Sequence, residues 1–171
     1  MTIRKILTEP DPFLRQKSYD VDKVDDDIRK LMNDMLDTMY AAPGIGLAAI
    51  QVGIPKRIIV IDLSKEEEKK PLYFINPKII LKSSTNTSYE EGCLSVPGQF
   101  AEIERPDKCH INFLDFNGEK QSVEAEGLLA TCIQHEIDHL EGILFIDYLS
   151  KLKKSMIIKK LSKNKFNREI F

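Results

Sequence analysis

Along residues 25–42 the apolar positions Ile28, Leu31, Met32, Met35, Leu36 and Met39 recur at intervals of three and four, which marks one buried face of an α-helix. Asp25, Asp26 and Asp27 stand at its start, where carboxylates meet unpaired amides and the positive end of the helix dipole, and Pro43-Gly44 stops it. After a glycine-rich stretch, 44–51, the pattern changes. β-Branched and aromatic runs at 57–63 and 72–81, separated by a charged loop at 64–70, predict strands, as do 87–91, 100–104 and 109–116; Asn117-Gly118 turns the last into a partner at 121–125. Helical spacing returns over 126–140 through Leu128, Leu129, Cys132, Ile133, Glu136 and Leu140, closed by Gly142. A lysine-rich helix begins near Ser150. The expected fold is α+β: mixed or antiparallel strands between an N-terminal helix, a central helix and a C-terminal helix. With no internal repeat and no dividing linker, residues 1–171 are expected to form one domain, with 150–171 as a basic C-terminal helix or tail.

Composition narrows the setting. A chain of 171 residues that is 42% hydrophobic can bury a core of its own. It has no run of eighteen apolar residues, and Met1-Thr2-Ile3-Arg4-Lys5-Ile6 has neither the apolar stretch of a secretory signal nor the look of a transit peptide, so no membrane and a cytoplasmic location are expected. Three scattered cysteines, Cys93, Cys109 and Cys132, read as free thiols in a reducing compartment. The net charge of −2 hides an asymmetry: residues 150–171 carry eight Lys or Arg against one acidic residue, and Leu152, Met156, Ile157 and Leu161 interleave with those lysines as in an amphipathic cationic helix.

The candidate chemistry lies in the second helix, at His135-Glu136-Ile137-Asp138-His139. Histidines four residues apart project from one face, so both imidazoles can reach a single divalent cation, and Glu136 can take a proton from water beside the ion without ligating it. An open catalytic site needs a third protein ligand. Cys132 lies two turns before His139, and Cys109 alternates with Ile111 and Phe113 as a core residue. Cys93 follows Gly92 in what reads as a presenting loop, with Pro97 ending strand pairing. Geometry favours Cys93 without removing the other two. Two other functions share the helix pattern: a zinc peptidase with Glu141 or Asp147 as third ligand, and a structural zinc module closed by Cys93 with Cys109 or Cys132.

Residues 44–51, Glu91-Gly92-Cys93-Leu94-Ser95 and Gln134-His135-Glu136-Ile137-Asp138-His139, in this order and spacing, together resemble bacterial peptide deformylase. The resemblance runs from the first helix to Asp147-Tyr148-Leu149-Ser150. It implies hydrolysis of the N-formyl group from N-formylmethionine of nascent polypeptides, releasing formate. It also implies ligands Cys93, His135 and His139 for one divalent metal, usually Fe2+, which Zn2+, Ni2+ or Co2+ can replace. Glu136 would be the proton carrier, and the Gln51 side-chain amide and the Leu94 backbone amide would face the developing oxyanion. Ile45 and Gly46 would bond a peptide backbone laid alongside as a strand, with glycine chosen for that close approach. The methionine pocket would be lined by Ile45, Tyr89, Gly92, Leu128, Thr131, Cys132 and His135. Glu91 and Arg105 match a family salt bridge that steadies the active-site loop; on their own they read as surface charge. Phe100 stands where many relatives carry Arg. Contact of the basic C-terminal helix with the ribosome, and a monomeric state, are the remaining expectations.

Overall fold

The computed structural model describes residues 2–65 and 67–170, in the order helix α1 (Asp26–Ala41), strands β1 (Gly46–Ala48), β2 (Ile58–Ile61), β3 (Leu72–Lys82), β4 (Asn86–Cys93), β5 (Val96–Pro106), β6 (Lys108–Leu114) and β7 (Lys120–Glu126), then helices α2 (Gly127–Leu140) and α3 (Lys151–Ile170). Three short 3-10 turns, at Pro12–Arg15, Ala49–Val52 and Phe145–Tyr148, join them. Met1 and Phe171, the outer bounds of the expected domain and tail, and Glu66 of the charged loop lie outside the described residues.

β2 explains why the layers assemble. Its residues Ile-Ile-Val-Ile are all buried, as a strand covered on both faces must be. Ile58 and Val60 pack with Leu31, Met32, Met35 and Met39 of α1, while Ile59 and Ile61 pack with Ala130, Ile133, Ile137 and Leu140 of α2. One sheet, ordered β1-β2-β3-β6-β7 and antiparallel throughout, is thus held between two helices. Each large aliphatic side chain so removed from water contributes about 1.5–3 kcal/mol. The Asp25 carboxylate caps α1 by accepting the Ile28 amide at 3.0 Å.

β4 and β5 form a separate two-stranded ribbon. With Leu144, Phe145, Ile146 and Leu161 it makes a third apolar cluster through Val96 and Ile103. Two expectations change here. Cys93 ends a strand instead of sitting in a free loop, pairing with Val96 across a tight turn. Pro97 lies inside β5 and does not end the pairing, because the register jumps from Cys93–Val96 to Gly92–Phe100; the bulge at residues 97–99 asks no ladder hydrogen bond of a residue without an N–H. The glycine-rich stretch becomes the edge strand β1 followed by the second 3-10 turn.

The apolar positions of α3 do not share one fate. Leu161 is buried and Ile157 packs against the third cluster, whereas Leu152 and Met156 are exposed. Among the described residues no helix is long and apolar enough to cross a membrane.

Candidate active site

α2 carries His135 and His139 one turn apart on its buried face, and β4 delivers Cys93 to them. Ligating atoms of these three residues all lie within 4.8 Å of one another, and Cys93 Sγ is 3.3 Å from His139 Nε2. Glu91, two residues before Cys93 on the same strand, meets His135 Nδ1 at 2.9 Å. With that nitrogen donating to a carboxylate, the Nε2 lone pair is the one left for a cation. A thiol and two imidazoles are a donor set suited to zinc, iron, nickel or cobalt. Neither Cys109 nor Cys132 joins the group among the described residues; Cys109 is a core residue of β6. Glu141 is paired with Arg57 and Lys17, and Asp147 with Arg15 and Lys154. A closed structural shell and a downstream peptidase ligand are both absent from these residues.

A cleft of about 590 Å³ opens beside Cys93 and His135. It is lined by Ile45, Gly46, Gln51, Tyr89, Glu91, Gly92, Cys93, Leu94, Leu128, Thr131, Cys132, His135 and Glu136. Of the expected site residues only His139 and Arg105 stand behind the wall, both almost wholly buried.

Glu136 is 5% exposed and its Oε2 has no hydrogen-bond partner. Burial pushes its carboxyl up to about 7, moderated by His135 and reinforced by Glu91. Its Oε1 lies 2.6 Å from where a Cβ on Gly46 would stand. A side chain at 46 would therefore meet the Glu136 carboxylate, a second demand for glycine beside the peptide approach expected. Ile45 is also qualified, since its carbonyl already accepts the Asp62 amide at 2.9 Å. In the alternation of an antiparallel ladder, Gly46 is then the residue whose main chain faces the open edge of β1.

Gln51 is fixed at both ends: Oε1 accepts the Ala48 amide at 2.9 Å and Nε2 donates to Ser95 Oγ at 3.0 Å, leaving the second Nε2 hydrogen near Cys93 Sγ at 3.6 Å. Glu91 and Arg105 are not surface charges. They form a buried bidentate pair, with Nε to Oε2 at 2.7 Å and Nη2 to Oε1 at 3.0 Å, while Arg105 Nη1 reaches Asp138 Oδ2 at 2.8 Å. Burial alone would raise the Glu91 carboxyl; His135 and Arg105 bring it below its ordinary value, so it stays ionised. Ser95, Asp138 and Ile6, which lines the cleft from the N-terminal segment, were not foreseen. Ser95 directly follows the Cys93-Leu94 pair and Asp138 sits inside the histidine motif, which is the only signal they offered.

A model of the polypeptide deformylase family matches residues 3–155. The chain is 68% identical to the peptide deformylase of Pelagibacter ubique (strain HTCC1062), covering 99% of each, and 59% identical to that of Rhizobium meliloti (strain 1021), covering 95% of this chain and 94% of the relative. Among solved structures it is similar to peptide deformylase from Ehrlichia chaffeensis, with a TM-score of 0.93 at 44% identity over 98% and 99% of the two chains. The same enzyme in complex with actinonin matches with a TM-score of 0.92 at 47% identity, over 96% and 98%.

Proposed function

The chain belongs to the polypeptide deformylase family, and on that premise we propose which of its residues carry the reaction and with what ion. The protein is a metal-dependent hydrolase that removes the N-formyl group from nascent peptides. Cys93, His135 and His139 hold one divalent ion, Fe2+ in the cell, with Zn2+, Ni2+ or Co2+ able to replace it. Once bound, the ion supplies Lewis-acid polarisation and makes water a nucleophile at neutral pH.

Glu136, buried and close to neutral in affinity for a proton, takes the proton of the attacking water and passes it to the departing amine, whose loss releases formate. Gln51 Nε2, held by Ser95, and the Leu94 backbone amide face the oxygen that gains charge. Gly46 offers its main chain to the peptide at the β1 edge. Ile45, Tyr89, Gly92, Leu128, Thr131 and Cys132 enclose the methionine side chain. Glu91 orients His135 while Arg105 and Asp138 hold Glu91 and α2 in register. Residues 1–171 act as one monomeric catalytic domain in the bacterial cytoplasm.

The observation that carries this reading is the convergence of three ligand atoms within 4.8 Å beside a buried, unpartnered carboxylate oxygen. Its test is formate release from formyl-Met-Ala-Ser by anaerobically purified protein, wild type against Glu136→Ala at equal metal content. Release by the wild type alone is expected; equal release by both would remove Glu136 from its role.

The lysines of α3 and its exposed Leu152 and Met156 support a second reading, that this helix contacts ribosomal phosphates. Reversing Lys151, Lys153 and Lys159 to Glu should weaken ribosome cosedimentation and flatten its salt dependence without changing turnover on free peptides. Undiminished binding would end that reading.

A further inference from the structure

Residues 4–9 belong to no helix or strand, yet three of their amides find partners on three different elements. Arg4 N donates to Thr38 Oγ1 of α1 at 2.9 Å, Leu7 N to the Gln51 carbonyl at 2.7 Å, and Glu9 N to the Ser95 carbonyl at 2.8 Å. The last two bear on the chemistry. Gln51 lies in the second 3-10 turn and Ser95 in the turn between β4 and β5; both are buried, and Ser95 Oγ is the atom that holds Gln51 Nε2. Leu94 shares the turn with Ser95. The two donors assigned to the developing oxyanion thus come from separate elements, and one segment bonds to the main chain beside each. Leu7 and Glu9 are two residues apart, so at most about 7 Å of chain separates the amides that hold these elements.

Glu9 ties this strap down. Its carboxylate is buried, and a buried charge persists only with a partner; that partner is Arg15, with Nη2 3.4 Å from Oε1. Arg15 in turn donates to Asp147 Oδ2 at 2.6 Å and to the Gly142 carbonyl, two residues past α2, at 3.4 Å. A Cβ on Gly142 would stand 2.3 Å from the Arg15 carbonyl oxygen, and the Ser18 amide meets the Leu140 carbonyl at 2.8 Å. Residues 15–18 are therefore fitted against the end of the helix that carries His135 and His139.

We propose that Glu9 is a positioning residue of the reaction: anchored on Arg15, it holds the strap whose Leu7 and Glu9 amides keep the Gln51 and Leu94 donors converging on one oxygen. This rests on the role of those donors proposed above. Such donors stabilise a developing charge because they are already aimed when it forms, and the strap is what relates the aim of one to the other.

The experiment measures kcat and KM on formyl-Met-Ala-Ser for the metal-loaded full chain, with Glu9 changed alone and together with Gln51→Leu, at equal metal content. Glu9→Ala should lower kcat about tenfold with KM unchanged, the mark of an interaction made only in the transition state. Glu9→Gln, which keeps an oxygen within reach of Arg15, should recover most of that rate. In the Gln51→Leu background the same Glu9→Ala change should cost about twofold or less, because a single donor leaves no pair to align. A general weakening of the fold would cost the same factor in both backgrounds. Equal factors, or a kcat unchanged by Glu9→Ala, would overturn the proposal and leave the oxyanion donors standing. If Glu9→Ala does not fold, Glu9→Asp, which keeps the charge but shortens its reach, enters the same cycle with an expected loss of about threefold. Wild-type turnover by Gln51→Leu alone would overturn the oxyanion reading and this proposal together.

Discussion

At the scale of single residues, Gly46 and Glu136 fit closely against each other. A Cβ at 46 would meet Glu136 Oε1 at 2.6 Å, well inside contact distance, so Gly46→Ala must shift the Glu136 carboxylate or the edge strand. Displacing a reacting group by about 1 Å costs on the order of 10²-fold in rate; we expect that loss in kcat, with metal content and melting temperature close to wild type, checked by formate release, metal analysis and calorimetry. Gln51→Leu removes a donor already aimed by Ser95 and Ala48, and should cost about 10²–10³-fold in kcat while the ion stays bound. Glu91→Gln is a different case, because it leaves Arg105 buried with half its partner. Breaking such a pair costs about 3–5 kcal/mol, and loosening His135 should lower metal affinity about 10–100-fold. Urea denaturation and metal titration read the two effects separately. The histidine-glutamate-histidine motif was legible because all three residues lie on one turn and a half of one helix. Ser95 and the Asp138 contact to Arg105 were not, since a side chain's partner on another element leaves no trace in its own sequence neighbourhood.

At the scale of elements, periodicity located α1, α2 and most strands, because the positions that must be apolar repeat with the geometry of the element itself. In the β4–β5 ribbon it located both strands but missed the ends where they meet. Pro97 reads as a strand terminator, yet a three-residue bulge frees it from any ladder bond. It also failed to divide the faces of α3, where Leu161 and Ile157 seek the ribbon and Leu152 and Met156 do not. α3 is further tied down by Asp147, whose carboxylate meets Arg15 at 2.6 Å and Lys154 at 2.8 Å. Burial would raise this carboxyl, but Lys154 and Arg15 bring it below its ordinary value. Because the folded value lies below the unfolded one, the stabilisation is complete above the unfolded value, about 3.9, and fades as pH falls through the folded one. Asp147→Asn should therefore melt below wild type at pH 6, and the gap should close below pH 4. A gap independent of pH would show that shape, and not charge, ties the helix.

For the whole molecule, two apolar clusters on opposite faces of one sheet hold α1 and α2 without help from an ion. Chelation should therefore abolish turnover and lower the melting temperature while leaving a cooperative transition and the far-UV spectrum of the folded chain. Replacing Cys109 and Cys132 by Ser should leave the metal in place. Unfolding on chelation would instead mark the ion as structural.

The sequence by itself determined the α+β class, the helix that carries His135, Glu136 and His139, and the family resemblance, because each is written in local spacing or in short segments kept in order. The resemblance named Cys93 and a Glu91–Arg105 pair, but only the tertiary structure brings Cys93, and neither Cys109 nor Cys132, to His135 and His139, buries the Glu91–Arg105 pair, and gives the side-chain space of Gly46 to Glu136. Each of these depends on atoms brought together from separate elements by the burial of β2 and the folding of the ribbon onto α2. Spacing along a chain records the requirements of an element; it does not record which groups the packing of elements will set within 3 Å of one another.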